Sequence, residues 1–293
     1  MIAPARRCRR APVLLLLACL AALMPACATR VPVEIVSGTP AIDRSVVAGV
    51  PLDAFGAHEF RGRDGNTLRY RLLVPEHVEP GRRYPLVVQF HGSGGIGDDN
   101  IGQLETAARA WALPDVRRRH PAFVLVPQFP ARSANYDDPL DPRAARASTL
   151  LPTALELVHE VANTRPIDVR RIYATGFSMG GSAAWLAPTL QPGLFAATMP
   201  VSGIAPDRSQ AALLKDVPLL VLHGDDDDEN PIDADRGMVE AIRALGGDNV
   251  RLREYAGLAH APPGDLIPGD WWRDWMFSQR RPADPDGATV RGP

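Results

Sequence analysis

Two stretches of this sequence hold residues whose types and order suit nucleophilic catalysis. Gly176-Phe177-Ser178-Met179-Gly180 has the form G-x-S-x-G, a nucleophile elbow. A strand that turns sharply into a helix leaves the central serine strained and projecting. Side chains at the flanking positions would collide with neighbouring backbone, so glycine is needed there. The five-residue form alone is a weak signal, and a glycine-rich turn with an idle serine is the alternative. Its context strengthens it, because a β-type run at 171–175 precedes it and Ser182-Ala183-Ala184-Trp185 can open a helix after it.

A serine hydroxyl is a poor nucleophile until a base takes its proton, and histidine titrates in the useful range. Of the seven histidines, His58 and His77 precede the sheet core, and His120 and His159 lie beside or on helical segments. His91 and His223 each end a strand in a His-Gly pair, where shaping the backbone is the expected task. His260 sits in Ala256-Gly257-Leu258-Ala259-His260-Ala261, a small-residue loop after the last strand. The partners of such an elbow follow in the order serine, acid, histidine, and His260 alone leaves room for an acid on the preceding strand end. That acid belongs to the loop Asp225-Asp226-Asp227-Asp228-Glu229, where chemistry alone does not choose among the carboxylates. The run also reads as a solvated loop. A calcium loop would interleave its ligands with other residues and a glycine, so no metal site is expected.

An acyl-transfer intermediate needs two N–H donors for its oxyanion. One is expected from Met179, at the start of the helix that follows the serine. The second is expected from Ser93 or Gly94 in His91-Gly92-Ser93-Gly94-Gly95. A phosphate-binding loop is the competing reading, but the glycines lack G-x-G-x-x-G spacing and no P-loop lysine follows.

The elements able to position these groups alternate along the chain. Apolar strands are expected at 86–90, 122–126, 171–175, 195–201, 219–223 and 250–255, separated by helices at 103–111, 149–163, 182–189 and 233–245, with a last helix at 271–277. Strands at 58–63 and 67–74 flank Asp64-Gly65 as a hairpin. This pattern predicts an α/β domain over 55–280, a mostly parallel central sheet with helices on both faces and an N-terminal antiparallel hairpin at one edge. Residues 29–54 read as a linker and 281–293 as a disordered tail. Trp185, Trp271, Trp272 and Trp275 read as core packing ahead of a substrate pocket.

Arg6, Arg7, Arg9 and Arg10 precede an apolar run at 11–23, the form of a signal peptide over 1–28. Cleavage after Ala28 and lipidation of Cys27 both fit its end. The protein is therefore expected to be exported, in the periplasm, at the outer membrane as a lipoprotein, or secreted. A lipid on Cys27 would be its one link to a membrane. The three cysteines, Cys8, Cys19 and Cys27, all lie in this leader, so the domain has no disulfide and no thiolate nucleophile or metal ligand. A formal net charge of -2 offers no global attraction for nucleic acid.

In sum the motifs resemble the bacterial predicted peptidases and carboxylesterases of the α/β-hydrolase superfamily, related to feruloyl esterases, polyhydroxybutyrate depolymerases and dienelactone hydrolases. The likeness is carried by Leu72-Leu73-Val74-Pro75, Tyr84-Pro85-Leu86-Val87-Val88, the loop from His91 to Asn100, Val126-Pro127-Gln128, the run from Arg171 to Gly181, His223-Gly224 through Pro231, and His260. It extends over about 58–279. The resemblance implies that the acid is the third residue after His-Gly, Asp227, completing a set with Ser178 and His260. It also implies cleavage of small-molecule or short polymeric esters through an acyl-enzyme, with no cofactor. A serine exopeptidase with the same three residues, and a non-catalytic envelope binding protein, are the rival readings. The extra acids at 225, 226, 228 and 229 and the Ala261-Pro262-Pro263 run depart from the relatives' pattern.

Overall fold

The computed structural model describes Met1, residues 33–136 and residues 143–283. The expected leader over 1–28, apart from Met1, and the tail beyond 283 lie outside the described residues. The strands are β1 (Val33–Ser37), β2 (Phe55–Arg61), β3 (Thr67–Leu73), β4 (Tyr84–Phe90), β5 (Phe123–Gln128), β6 (Ala134–Tyr136), β7 (Ala145–Ala147), β8 (Ile167–Phe177), β9 (Ala197–Val201), β10 (Leu219–Gly224) and β11 (Val250–Ala256). The helices are α1 (Thr106–Arg109), α2 (Pro114–Arg119), α3 (Leu150–Thr164), α4 (Met179–Leu190), α5 (Ala211–Leu214), α6 (Asp233–Ala244) and α7 (Trp271–Ser278).

Nine strands form one sheet in the order β1-β11-β10-β9-β8-β4-β5-β3-β2. Neighbours from β1 to β5 run parallel, while β3 is antiparallel to both β5 and β2. The α/β architecture and its edge hairpin are therefore as the sequence predicts. A short antiparallel pair, β6 and β7, stands apart from the main sheet.

The parallel strands read as continuous apolar runs because both faces are covered. On β4, Leu86, Val88 and Phe90 pack toward Leu151, Leu155 and Val158 of α3 and Ala183 and Ala187 of α4. Val87 faces the other way, with Tyr173, Trp111, Trp272 and Met276. Farther along the sheet, Leu219 and Val221 of β10 meet Trp185 of α4 and Met238, Val239 and Ile242 of α6. Each such aliphatic side chain contributes about 1.5–3 kcal/mol by leaving water, so the sheet centre is rigid where the strands end.

Residues 29–54 are corrected from linker to structure over their described part. Strand β1 pairs with β11 from Val33↔Leu252 to Ser37↔Ala256, and Val47 and Val50 are buried. Ile42 N–H donates to the Pro262 carbonyl at 2.9 Å and Gly264 N–H to that of Pro40 at 2.8 Å. Arg109 Nη2 donates to the Val50 carbonyl at 2.8 Å. The strand is hard to read in sequence because its side chains are mostly exposed, so main-chain bonding holds it and little apolar pattern marks it. A chain starting at Arg44 is expected to lose about 2 kcal/mol, a fall in Tm of roughly 4–8 °C. An unchanged melting curve would show that β1 and the Pro40 and Ile42 bonds contribute nothing.

Two smaller differences concern helices. The segment expected as one helix over 103–111 is a single α-turn, α1, followed by a 3-10 turn at Ala110–Ala112. Helix α2, opened by Pro114 in its first turn, was not expected, because six residues are too few to show a period.

Candidate active site

The elbow is built by close backbone approach. A Cβ on Gly176 would lie 2.6 Å from the carbonyl carbon of Gly180 and the carbonyl oxygen of Phe90. One on Gly180 would meet the Phe90 carbonyl oxygen and lie 2.8 Å from that of His91. Only glycine fits, and the fit presses the start of α4 against the end of β4. Between β8 and α4, Ser178 takes φ 58° and ψ -120°, a region costly for any residue with a Cβ. Its N–H donates to the Val201 carbonyl at 2.9 Å.

That turn carries Ser178 Oγ to 2.8 Å from His260 Nε2, and His260 Nδ1 lies 2.8 Å from Asp227 Oδ2. With Nδ1–H donating to the carboxylate, Nε2 is the acceptor of the serine hydroxyl hydrogen. The Phe177 ring packs on the imidazole, centroids 4.8 Å apart. Three residues separated by 49 and 33 positions thus meet at the carboxyl end of β8, the central switch point of the sheet.

Burial separates the acid from its neighbours. Asp227 is buried, whereas Asp225, Asp226, Asp228 and Glu229 are exposed. The loop folds back on the end of β11, with Asp225 N–H donating to the Tyr255 carbonyl at 3.1 Å and Asp226 N–H to that of Leu258 at 3.2 Å. Asp227 Oδ1 accepts the N–H groups of Glu229 and Asn230 at 3.1 and 2.8 Å. Burial alone would push its carboxyl up. The bonds from His223, His260 and Asn230 outweigh that and hold it well below the usual carboxylate range.

The loop from His91 occupies the other side of the elbow. His91 Nε2 accepts the Phe129 N–H at 3.0 Å, and Nδ1–H donates to the Gly92 carbonyl at 2.6 Å. Burial lowers His91 to about 4, which keeps the ring neutral and that acceptor available. Gly92 N–H donates to Glu105 Oε2 at 3.0 Å, so the next donors along the chain are Ser93 and Gly94, opening a 3-10 turn. Met179 opens α4. N–H groups in a first helical turn have no partner within the helix, which is the condition for meeting an oxyanion.

Gln128, quoted in the sequence only as part of a motif, pins this loop from the end of β5. It accepts Asn100 N–H at 2.6 Å and donates to Asp99 Oδ1 at 2.8 Å and the Gly95 carbonyl at 3.2 Å. Burial pushes the Glu105 carboxyl up, against the Gly92 N–H. Neither Gln128 nor Glu105 was singled out, because no spacing rule links them to residues 91–95.

The family model described as the dienelactone hydrolase family matches residues 77–262. The chain belongs to the dienelactone hydrolase family. A crystal structure of a thermostable esterase is similar at 35% identity, with a TM-score of 0.70, covering 78% of this chain and 64% of that one. A protein of Nocardia uniformis subsp. tsuyamanensis named "Putative esterase NocK" is 26% identical over 244 residues, 68% of this chain and 63% of its own length. This chain therefore spans less than two thirds of either protein. Acyl-protein thioesterase 2 of Zea mays, 20% identical with a TM-score of 0.53 over 72% of this chain and 98% of that one, shares the fold.

Within this member of the dienelactone hydrolase family, a cleft beside the elbow is lined by Ile42, Gln89, Thr175, Phe177, Pro262 and Trp272 among others, with Ser178, Asp227 and His260 outside its wall. Trp272 is buried in the core cluster with Trp111 and Met276. Trp185 is wholly core and lies with α6, and Trp271 and Trp275 pack at the margin of the core cluster that holds Trp272. Among the described residues no group of acids, histidines or cysteines could hold a metal ion.

Proposed function

We propose that the protein hydrolyses carboxylic esters, small or short and polymeric, through an acyl-enzyme on Ser178. Ser178 Oγ attacks the ester carbonyl carbon as His260 Nε2 takes its proton. Asp227 holds Nδ1–H and balances the charge the ring acquires. The N–H groups of Met179 and of Ser93 or Gly94 stabilise the oxyanion. The leaving alcohol departs with the proton from His260, which then activates water, and the acid is released. The observation that carries this reading is the pair of 2.8 Å contacts linking Ser178, His260 and Asp227 at a strained elbow. No step calls for a cofactor.

The test is turnover of p-nitrophenyl acetate and butyrate beside dipeptide p-nitroanilides, in wild type and the Ser178→Ala variant. Serine-dependent ester hydrolysis, with kcat/KM at least about 10²-fold above the anilides, supports the proposal. Faster cleavage of the anilides would make it a peptidase, and rates equal in both proteins would leave a binding role. The arginine-flanked apolar leader supports placing this activity outside the cytoplasm, free or tethered at Cys27. Palmitate incorporation that disappears in Cys27→Ala would establish the tether, and its absence in wild type would exclude it.

A further inference from the structure

The scheme above leaves unused a histidine that touches it. His223 ends β10 with its side chain fully buried. Its Nδ1 lies 2.9 Å from Asp235 Oδ2 of α6, and its Nε2 lies 2.8 Å from the Asn230 carbonyl and 3.4 Å from Asp227 Oδ2. With Asp227 and Asp235 ionised, all three partners are acceptors. A neutral imidazole would aim a lone pair at one of these oxygens, whereas the doubly protonated ring satisfies them. The Trp185 Nε1–H donates to Asp235 Oδ1 at 2.9 Å, which leaves Oδ2 for the His223 ring.

Charge argues the same way. The side chains of Asp227 and Asp235 are both fully buried, and two buried anions without a cation between them are strongly disfavoured. With Asp235 and Asp227 ionised and His223 charged, these three carry one net negative charge, which balances the positive charge His260 acquires with the serine proton. Burial by itself would neutralise the ring, but its bonds to Asp227 and Asp235 outweigh that and raise His223 to about 10. Burial pushes Asp235 up, against its bonds from His223 and Trp185. Glu254 of β11, the register partner of His223, is paired with Arg236 of α6 at 2.7 Å.

We propose that His223 is a permanently charged positioning residue, which keeps Asp227 ionised in its buried place and ties the Asn230 end of the acid loop. The proposal rests on the role given to Asp227 above. Loss of the cation makes Asp227 easier to protonate and removes a positive charge that opposes protonation of His260. Both effects carry the acid limb of kcat/KM toward higher pH.

Two measurements test it on the full chain. In the Ser178→Ala protein labelled with ¹⁵N-histidine, one imidazole should stay doubly protonated from pH 6 to pH 9 and vanish from the spectrum of Ser178→Ala/His223→Gln. If every ring is neutral at pH 8.5, the proposal is overturned. In the active enzyme, His223→Gln should lower kcat about 10- to 100-fold with KM within about twofold, and move the acid limb up by about one pH unit. Asp235→Asn, which removes the anion at Nδ1, should let the His223 ring lose its second proton at a lower pH in the same ¹⁵N spectrum. It stands in if His223→Gln does not fold. An unmoved limb in folded His223→Gln would reduce His223 to packing and overturn the positioning role. The spectroscopic arm needs no turnover, so an inactive wild type would sink the esterase reading while the charge on His223 is still decided.

Discussion

Replacing Ser178 by alanine should lower kcat for p-nitrophenyl butyrate by about 10⁵- to 10⁶-fold, leaving the melting temperature nearly unchanged. Replacing it by glycine should abolish turnover equally and make the protein more stable than the alanine variant. The reason is the backbone at φ 58° and ψ -120°. Holding a residue with a Cβ there costs on the order of 1–3 kcal/mol, and alanine keeps the Cβ. Glycine removes that cost and returns about 0.5–1 kcal/mol as extra freedom of the unfolded chain. The difference is about 1 kcal/mol, or roughly 2–4 °C. Thermal unfolding of the two variants measures it. A glycine variant no more stable than the alanine one would mean that the elbow stores no usable strain. An alanine variant that still turns over would displace Ser178 from its role.

Asp227→Asn should lower kcat by about 10⁴-fold, because an amide can turn its NH₂ toward His260 Nδ1 and favour the wrong tautomer. The same change at Asp226 or Asp228, both exposed, should stay within about twofold, as a screened surface charge does. A large loss at Asp228 with a small one at Asp227 would reassign the acid. Stability supplies a second readout with a definite sign. Asp227 sits below the usual carboxylate range in the folded protein, so its ionised form stabilises the fold above about pH 4. That contribution fades as pH falls further. Denaturant unfolding should therefore show wild type ahead of Asp227→Asn at pH 7, with the gap narrowing below pH 4. A gap independent of pH would mean that the loss is one of shape.

The sheet was legible in sequence where strands are buried on both faces. Runs such as those within β4, β8 and β10 stay apolar because α3, α4 and α6 cover one side and Trp111, Trp272 and Met276 the other. The elbow was legible because part of its demand is local: a Cβ on Gly176 would meet the backbone of Gly180, one turn on. His260 stood out by its place after the last strand. Strand β1 escaped notice because it is held by main-chain bonds to β11 and buries little.

By itself, then, the sequence determined the α/β alternation and offered Ser178 and His260 as candidates, since each depends on neighbours in the chain or on order along it. The choice of acid came from family likeness, not from its chemistry, because five adjacent acids look alike until a fold buries one of them. Tertiary structure made that distinction by laying the loop on the Tyr255 and Leu258 carbonyls, so that Asp227 turns inward to His260 and His223. The same is true of Gln128, Glu105 and the network of His223, Asp235 and Trp185. Their partners are distant in sequence, and hydrogen bonds between distant residues leave no period or spacing to read.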